Sequence, residues 1–381
     1  IYSPYEWCLG QLKDAALATL AIQKKALEKG MSLKDASAYN IQFRNARPLL
    51  IDTLSFERYV EGQPWTAYRQ FCQHFLAPLA LMAYRDVRLG QLLRLYMDGV
   101  PLDLASCLLP GRTRLNFGLL THIHIHANAQ RRYADRQVQR QSVAQRVSKM
   151  ALIGLVESLE ASVRRLNWKA GGTEWGDYYD ATNYSPAAFE DKRQTIAAWV
   201  EAIAPQTCWD LGANTGVFSR LASERKVFTV SFDIDPSAVE QNYRRCRAEK
   251  TTHLLPLVMD LTNPSPSQGW DHNERDSLAG RGPADLVLAL ALVHHLAIAN
   301  NVPLPRLAES LARLGKALII EFVPKDDSQV QRLLASRVDI FPDYTPAGLE
   351  AAFAPFFELR QRSAVQESQR LLYWFERREA V

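Results

Sequence analysis

The sequence predicts an α/β protein in two parts: a mainly helical amino-terminal domain over residues 1–170, and a doubly wound, mostly parallel sheet covered by helices over 171–381. Three observations carry this. Up to Ala170 the apolar residues recur mostly at i, i+3, i+4 spacing, the helical period. Around Gly171-Gly172 that period breaks. Beyond it, short apolar runs alternate with amphipathic segments, the rhythm of parallel strands and crossover helices.

In the first part the helical period is clearest over Gln11–Leu27, Ala67–Tyr84 and Val87–Asp98. One extended piece interrupts it: Asn40-Ile-Gln-Phe43, a turn at Asn45-Ala-Arg-Pro48, and Leu49-Leu-Ile51 together predict a short hairpin. The Arg- and Gln-rich run 131–149 flows into the periodic stretch Met150–Leu166, which predicts one long connecting helix. Gly171-Gly172, Trp175-Gly-Asp-Tyr-Tyr179 and Asn183-Tyr-Ser-Pro186 then supply turn chemistry.

The second part reads as a helix (Ala188–Ile203), a strand (Thr207–Leu211), a helix (Val217–Glu224), a strand (Val227–Asp233), a helix (Ser237–Glu249) and a strand (Leu254–Met259). After a polar loop come a strand (Asp285–Leu290), a helix (Leu304–Arg313) and a strand (Lys316–Phe322). Phe357–Arg362 and Arg370–Phe375 predict an antiparallel pair closing one edge of the sheet.

The totals fit this picture. The chain has 381 residues, enough for two domains, with 47% hydrophobic and 23% charged residues and no low-complexity run. The longest apolar run, Phe75–Met82, is too short to span a bilayer, and Glu6 and Asp14 stand where a signal peptide carries positive charge. The chain opens at Ile1, so residues upstream are expected. Cys8, Cys72, Cys107, Cys208 and Cys246 are scattered and odd in number, which predicts reduced thiols and a cytoplasmic protein with no membrane partner. The net charge of +4 divides unevenly, with 23 Lys/Arg against 13 Asp/Glu through Ala170 and 22 against 28 beyond it. A basic first half and an acidic second half point to an anionic partner for the former, or to a solvated surface.

Ligands of a doubly wound sheet bind outside the carboxyl ends of its strands, so the residues just past each strand carry the most information. The first strand ends in Asp210-Leu-Gly212-Ala213-Asn214-Thr-Gly216, whose glycines let the backbone turn sharply ahead of a helix with free amides. The spacing is looser than a dinucleotide-binding G-x-G-x-x-G and lacks the Lys-Ser/Thr of a phosphate loop. The second strand ends at Asp233, 23 residues after Asp210, with Ile234 behind it. A carboxylate there accepts hydrogen bonds from two ribose hydroxyls. The third ends in Met259-Asp260-Leu261, an acid for an adenine amine beside an apolar surface for its ring.

Trp209–Ser219, Phe232–Asp235 and Asp260 resemble the first three motifs of class I S-adenosylmethionine-dependent methyltransferases, and the closing antiparallel pair is also that family's pattern. More loosely, the whole chain resembles two-part bacterial methyltransferases related to nodulation proteins. The resemblance implies a Rossmann-like class I methyltransferase sheet with S-adenosylmethionine as cofactor. It implies that Asp210 and the Gly212–Gly216 loop hold the cofactor's amino acid part, Asp233 its ribose and Asp260 its adenine.

Methyl transfer needs an aligned acceptor and, for a hydroxyl or protonated amine, a destination for the proton. The fourth strand runs into Leu290-Ala-Leu-Val-His294-His295, so one of two imidazoles is expected to act as a base or to orient the acceptor. Glu321, at the end of the fifth strand, is a second candidate. Asn183, Tyr184 and Lys192 either close over the cofactor or contact substrate, or are ordinary linker and helix residues. The sequence lacks the Asn-Pro-Pro-Tyr type of motif after the fourth strand, which disfavours methylation of base amines; Asn263-Pro-Ser-Pro266 comes too early.

In the first part, Asp35, Asn40 and Asp52 have the spacing of a kinase catalytic loop and its metal-binding Asp, with the predicted hairpin between the last two. This resembles the carboxyl lobe of aminoglycoside-phosphotransferase-like kinases. No His precedes Asp35 in register, no Gly follows Asp52 and no glycine-rich loop lies upstream, so the resemblance implies a degenerate scaffold. His122-Ile-His-Ile-His126 either alternates as a strand or puts His122 and His126 on one helix face. No metal is expected. Arg131, Arg132, Arg136, Arg140 and Arg146 have only Tyr133 for base stacking. The expected partner is therefore a small-molecule or glycan acceptor methylated at oxygen or nitrogen. The alternatives are an RNA or protein methyltransferase docking through the basic domain, and a regulatory protein that binds S-adenosylmethionine without turnover.

Overall fold

A computed structural model of the chain describes residues 2–127, 147–171, 184–335 and 337–378. The run from Arg131 through Arg146, the turn residues 172–179 and Asn183 lie outside the described residues. The chain divides into two units, Ile1–Ala170 and Gly171–Val381.

The first unit is built on two long helices, α1 (Leu9–Glu28) and α2 (Lys149–Arg165), which pack along each other. Lys13 of α1 donates to the carbonyls of Arg164 and Leu166 at 2.9 and 2.8 Å, satisfying the open carboxyl end of α2. The expected hairpin forms from β2 (Ile41–Arg44) and β3 (Arg47–Leu50), earlier in the chain than α2. Its turn is shorter than predicted. Asn45 and Ala46 take φ of 52° and 53°, the two-residue turn whose twist suits a hairpin, and Arg47 and Pro48 already belong to the strand.

Two features of this unit depart from the sequence reading, and one alternative it left open is decided. A second small sheet, β1 (Met31–Leu33) with β4 (Phe56–Arg58), was not predicted. Each strand is three residues long, and β1 is held from outside: Gln23 accepts from the Leu33 amide at 2.7 Å and Trp65 Nε1 donates to the Leu33 carbonyl at 2.8 Å. The connecting helix does not run through Lys149. Ser148 has extended backbone and accepts from the Ala151 amide, an amino-terminal cap, and Val147 bridges Gly62 in antiparallel fashion. The His122–His126 segment is helical: Phe117–Leu119 passes into a wide π turn, Leu120–Ile125.

The second unit carries a seven-stranded sheet. Its strands are β5 (Thr207–Leu211), β6 (Phe228–Asp233), β7 (Leu254–Val258), β8 (Ala284–Ala289), β9 (Gly315–Phe322), β10 (Phe357–Ala364) and β11 (Leu371–Arg377). Their spatial order is β10-β11-β9-β8-β5-β6-β7. β5 to β9 run parallel, whereas β11 is antiparallel to both neighbours. The parallel strands are almost continuously buried, as expected when helices cover both faces. β10 is different. Its Glu358, Arg360 and Arg362 are exposed and ion-paired, which blunts the sheet's free edge.

The helices that matter for the site are α3 (Pro186–Ile203) ahead of β5, α4 (Ser219–Ser223) and α5 (Pro236–Glu249), with α6 (Leu304–Leu314) and α7 (Ser328–Leu334) further on. The crossovers reverse direction between β5 and β8, so the crevice for a ligand opens above the ends of those two strands. No helix among the described residues is long and apolar enough to cross a membrane.

Candidate active site

Asp210 is 2% exposed at the end of β5, and its Oδ2 accepts from Ser219 Oγ at 2.6 Å. Burial pushes its carboxyl up to about 7, and the Asp233 charge adds to this while Ser219 and Lys192 oppose it. The loop that follows is pinned to β6: the amides of Gly212 and Ala213 both donate to the Phe232 carbonyl at 2.9 Å. Gly212 and Gly216 have φ of 73° and 75°. At Gly216 a Cβ would also collide with the Asn242 side chain, so the residue type is fixed by both conformation and space.

Asp233 ends β6, with Oδ2 accepting from the Asn214 amide at 2.7 Å and Oδ1 from the Asp235 amide at 2.8 Å. Burial raises it to about 6. These amides, with that of Ile234, aim the carboxylate. Ile234 is half exposed and lies beside it.

These groups share one cavity of about 390 Å³, whose wall includes Asp210, Gly212, Ala213, Asn214, Asp233 and Ile234. Gly216 shapes the loop from behind and does not line the cavity. Asp260 and Leu261 do not line it either. Asp260 is half-buried and its Oδ1 accepts from the Thr262 amide and hydroxyl at 2.8 and 2.6 Å, which turns it into the local loop.

The two histidines separate. His295 lines the cavity, and burial lowers it to about 4, so it is a neutral imidazole at physiological pH. His294 is 2% exposed, lies against His295 with ring centroids 4.1 Å apart and planes tilted by 42°, and does not line the cavity. His294 caps the π turn His295–Ala299, and His295 is its first residue.

Glu321 is fully buried and does not face the cavity. It accepts from Lys192 Nζ at 2.6 Å, from Arg370 Nη1 at 3.4 Å and from the Tyr184 hydroxyl. Burial opposes its charge, but Lys192 and Arg370 outweigh it and hold the carboxyl below its ordinary range. A carboxylate clamped by two cations is not the free base expected from the sequence; it organises the wall. Lys192 and Tyr184 do line the cavity, together with Phe189 and Phe218.

Sequence reasoning missed Phe189, Phe218, Asn300 and Leu333 as cavity residues, and Arg370 as the cation behind them. A signal existed for Arg370, an arginine at the head of the apolar run Leu371-Leu-Tyr-Trp-Phe375. Nothing local marked the others.

In the first unit, Asn40 Nδ2 donates to Ser55 Oγ at 3.0 Å, which donates to Asp52 Oδ2 at 2.7 Å, while Asp35 Oδ1 accepts from the Ser37 amide at 2.9 Å. His122 bonds to Tyr68 and Ser158, and His124 to Ser106 and Thr113. Among the described residues no group of three His, Cys, Asp or Glu side chains is placed to hold a metal ion.

No family model matches the chain. The nodulation protein NoeA of Rhizobium meliloti (strain 1021) is 39% identical over 380 residues, covering 99% of this chain and 80% of the relative. The chain belongs to the NoeA family of nodulation proteins. Among solved structures, the N-methyltransferase NodS of Bradyrhizobium japonicum WM9 is 11% identical with a TM-score of 0.35, covering 51% of this chain and 99% of NodS. The SAH-bound magnesium protoporphyrin IX methyltransferase of Synechocystis PCC 6803 is 16% identical with a TM-score of 0.37, over 50% of this chain and 84% of that one. At such scores the fold assignment rests on this chain's own strand order. That order, with the antiparallel β11 inserted between β9 and β10, makes the second unit of this NoeA-family chain a class I methyltransferase domain. The donor set fits S-adenosylmethionine: two buried acids stand at the ends of neighbouring strands, with the glycine-shaped loop between them.

Proposed function

We propose that this NoeA-family chain transfers the methyl group of S-adenosylmethionine to an oxygen or nitrogen of a small-molecule or glycan-type acceptor. One observation carries the reading: Asp210, Asp233 and His295 face the same cavity. The cofactor supplies a methyl carbon activated by its sulfonium. Asp233 fixes the ribose, Asp210 takes the ammonium of the amino acid part, and the apolar walls exclude water. His295, the imidazole that lines the cavity, orients the acceptor or receives its proton. The cofactor requirement supports a cytoplasmic setting, and the relative's designation supports a role in nodulation.

The test is to supply methyl-labelled S-adenosylmethionine with a bacterial extract separated into small-molecule, RNA and protein fractions. Label is expected in the small-molecule fraction. His295→Ala is expected to slow transfer by about 100-fold while S-adenosylhomocysteine still binds. Label confined to RNA or protein would overturn the acceptor class, and no transfer to any fraction would overturn the activity. An Asp233→Ala variant that binds S-adenosylhomocysteine as well as the wild type would remove the assigned ribose contact.

A further inference from the structure

A second cavity, of about 560 Å³, opens in the same unit and shares the π turn with the first. His295, Ala299 and Asn300 line the first cavity, and Ala297 and Asn301 line the second. Asn300 and Asn301 are consecutive, so the two walls approach to about 3.8 Å between α-carbons. Asn301 takes φ of 55°, a left-handed conformation that asparagine tolerates. The far wall is held without a ligand: Lys325 Nζ donates to Asp339 Oδ2 and to the Phe341 carbonyl, both at 2.7 Å, and Arg370 Nε donates to Asp327 at 2.8 Å.

The amino ends of two helices line this second cavity, α6 through Pro303–Pro305 and α8 (Pro346–Phe353) through Gly348. Such ends ordinarily offer free amides to an anion. Here those donors are depleted: Pro303 and Pro305 have no N–H, and the Gly348 amide donates to Thr345 Oγ1 at 3.0 Å. The other polar groups are also engaged or peripheral. Tyr344 turns its hydroxyl to the Val323 carbonyl at 2.9 Å, Asn301 Oδ1 accepts from Arg337 Nη1 at 3.1 Å, and Asp343, the charged side chain of the lining, is exposed. What faces a ligand is hydrocarbon, chiefly Val302, Leu304, Phe341 and Ala352, with Ile340 left 66% exposed. A single drug-sized ligand fills a cleft of about 300–1,000 Å³, so the first cavity, of about 390 Å³, holds a cofactor and little more. A methyl acceptor has to extend beyond it. We propose that the second cavity binds an apolar hydrocarbon group of the acceptor, which passes over the π turn with its reacting oxygen or nitrogen at His295. The proposal rests on the methyl-transfer reading of the first cavity.

Fluorescence titration of the full chain with N-phenyl-1-naphthylamine, a neutral apolar dye, tests the cavity. The dye is expected to bind, to be displaced by straight-chain alcohols about fourfold more tightly for each added methylene, and to be unaffected by S-adenosylhomocysteine. Ala352→Trp, which fills the cavity from a half-buried position, is expected to weaken dye binding by about tenfold, and Ile340→Asp, at an exposed position, by about threefold. Both variants are expected to bind S-adenosylhomocysteine as the wild type does. A wild type that does not bind the dye, a dye displaced by S-adenosylhomocysteine, or variants that bind the dye unchanged overturn the proposal. The acceptor is tested with methyl-labelled S-adenosylmethionine and bacterial extract: the labelled product is expected to pass into 1-butanol, and Ala352→Trp to need about tenfold more of that butanol-soluble fraction for the same rate. Label that stays in water, or a variant as fast as the wild type at every dilution, overturns the assignment of the acceptor to this cavity. No transfer to any fraction, with the dye bound as expected, overturns instead the methyl-transfer reading on which the proposal rests.

Discussion

Replacing Asp210 by Asn is expected to stabilise the unliganded protein and abolish its cofactor site. The carboxyl is 2% exposed and sits at about 7 in the fold against an ordinary value of 3.8. Because the folded state holds this proton more tightly than the unfolded chain, the group's stabilising contribution is fully present below pH 3.8 and is lost as pH rises through about 7. The shift of roughly three units corresponds to at most about 4 kcal/mol lost at pH 8. Asn keeps the volume and an oxygen to accept from Ser219, and carries no charge to desolvate. Urea unfolding of the ligand-free protein at pH 8 is therefore expected to show Asp210→Asn about 2–4 kcal/mol more stable than the wild type, with the gain falling by more than half at pH 5. S-adenosylhomocysteine, which stabilises the wild type by mass action, is expected to give the variant no such increment. A variant less stable than the wild type at pH 8, or a gain that does not shrink on acidification, would refute the account of Asp210 as a desolvated acid retained for its ligand.

Three further outcomes follow from the same physics. Binding of S-adenosylhomocysteine should weaken about tenfold between pH 8 and pH 6 as Asp210 takes up its proton, with about a further twofold from Asp233; calorimetry showing a flat profile would contradict the assignment of the ammonium to Asp210. His74 and His122 are almost fully buried and lowered to about 4, so their contribution to stability is present above pH 6.5 and lost as pH falls toward 4. Each should cost the first unit about 3 kcal/mol by pH 4, and protection factors in Ala77–Tyr84, corrected for the intrinsic exchange rate at each pH, that do not fall over that range would sink the idea. Arg370→Met leaves Glu321 and Asp327 with one cation between them and should cost about 3–5 kcal/mol, lowering the melting temperature by about 10 °C; a change of less than about 1 kcal/mol would mean the network is not the buried structure described.

The parts of the fold and site that were legible in the sequence are those whose signal is local. Continuous apolar runs separated by helical periods mark β5 to β9, because both faces of a parallel sheet are buried and every residue of such a strand must be apolar or paired. Asp210 and Asp233 were legible because a sheet of this topology exposes only the ends of its strands to a ligand, so a polar residue after an apolar run has few other reasons to be there. The short pair β1 and β4 was not legible, since three residues carry no period and Gln23 and Trp65 hold β1 from distant points of the chain.

The sequence by itself determined the class of the second unit and picked out two acids that line its cavity, because strand pattern and strand-end chemistry lie within a few residues of each other. Only the tertiary structure decided between the adjacent His294 and His295, because which ring meets the cavity depends on residues packed around them from distant strands and helices: His295 lines it and His294 is buried beside it. It also moved Glu321 from base to anchor and gathered Tyr184, Lys192, Asp327 and Arg370 around it. The hydroxyl of Tyr184 and the guanidinium of Arg370 meet across 186 positions of chain. No periodicity encodes such a meeting; β11, antiparallel beside β9, brings Arg370 to Glu321 at the end of that strand, and Tyr184, ahead of α3, donates to the same carboxylate.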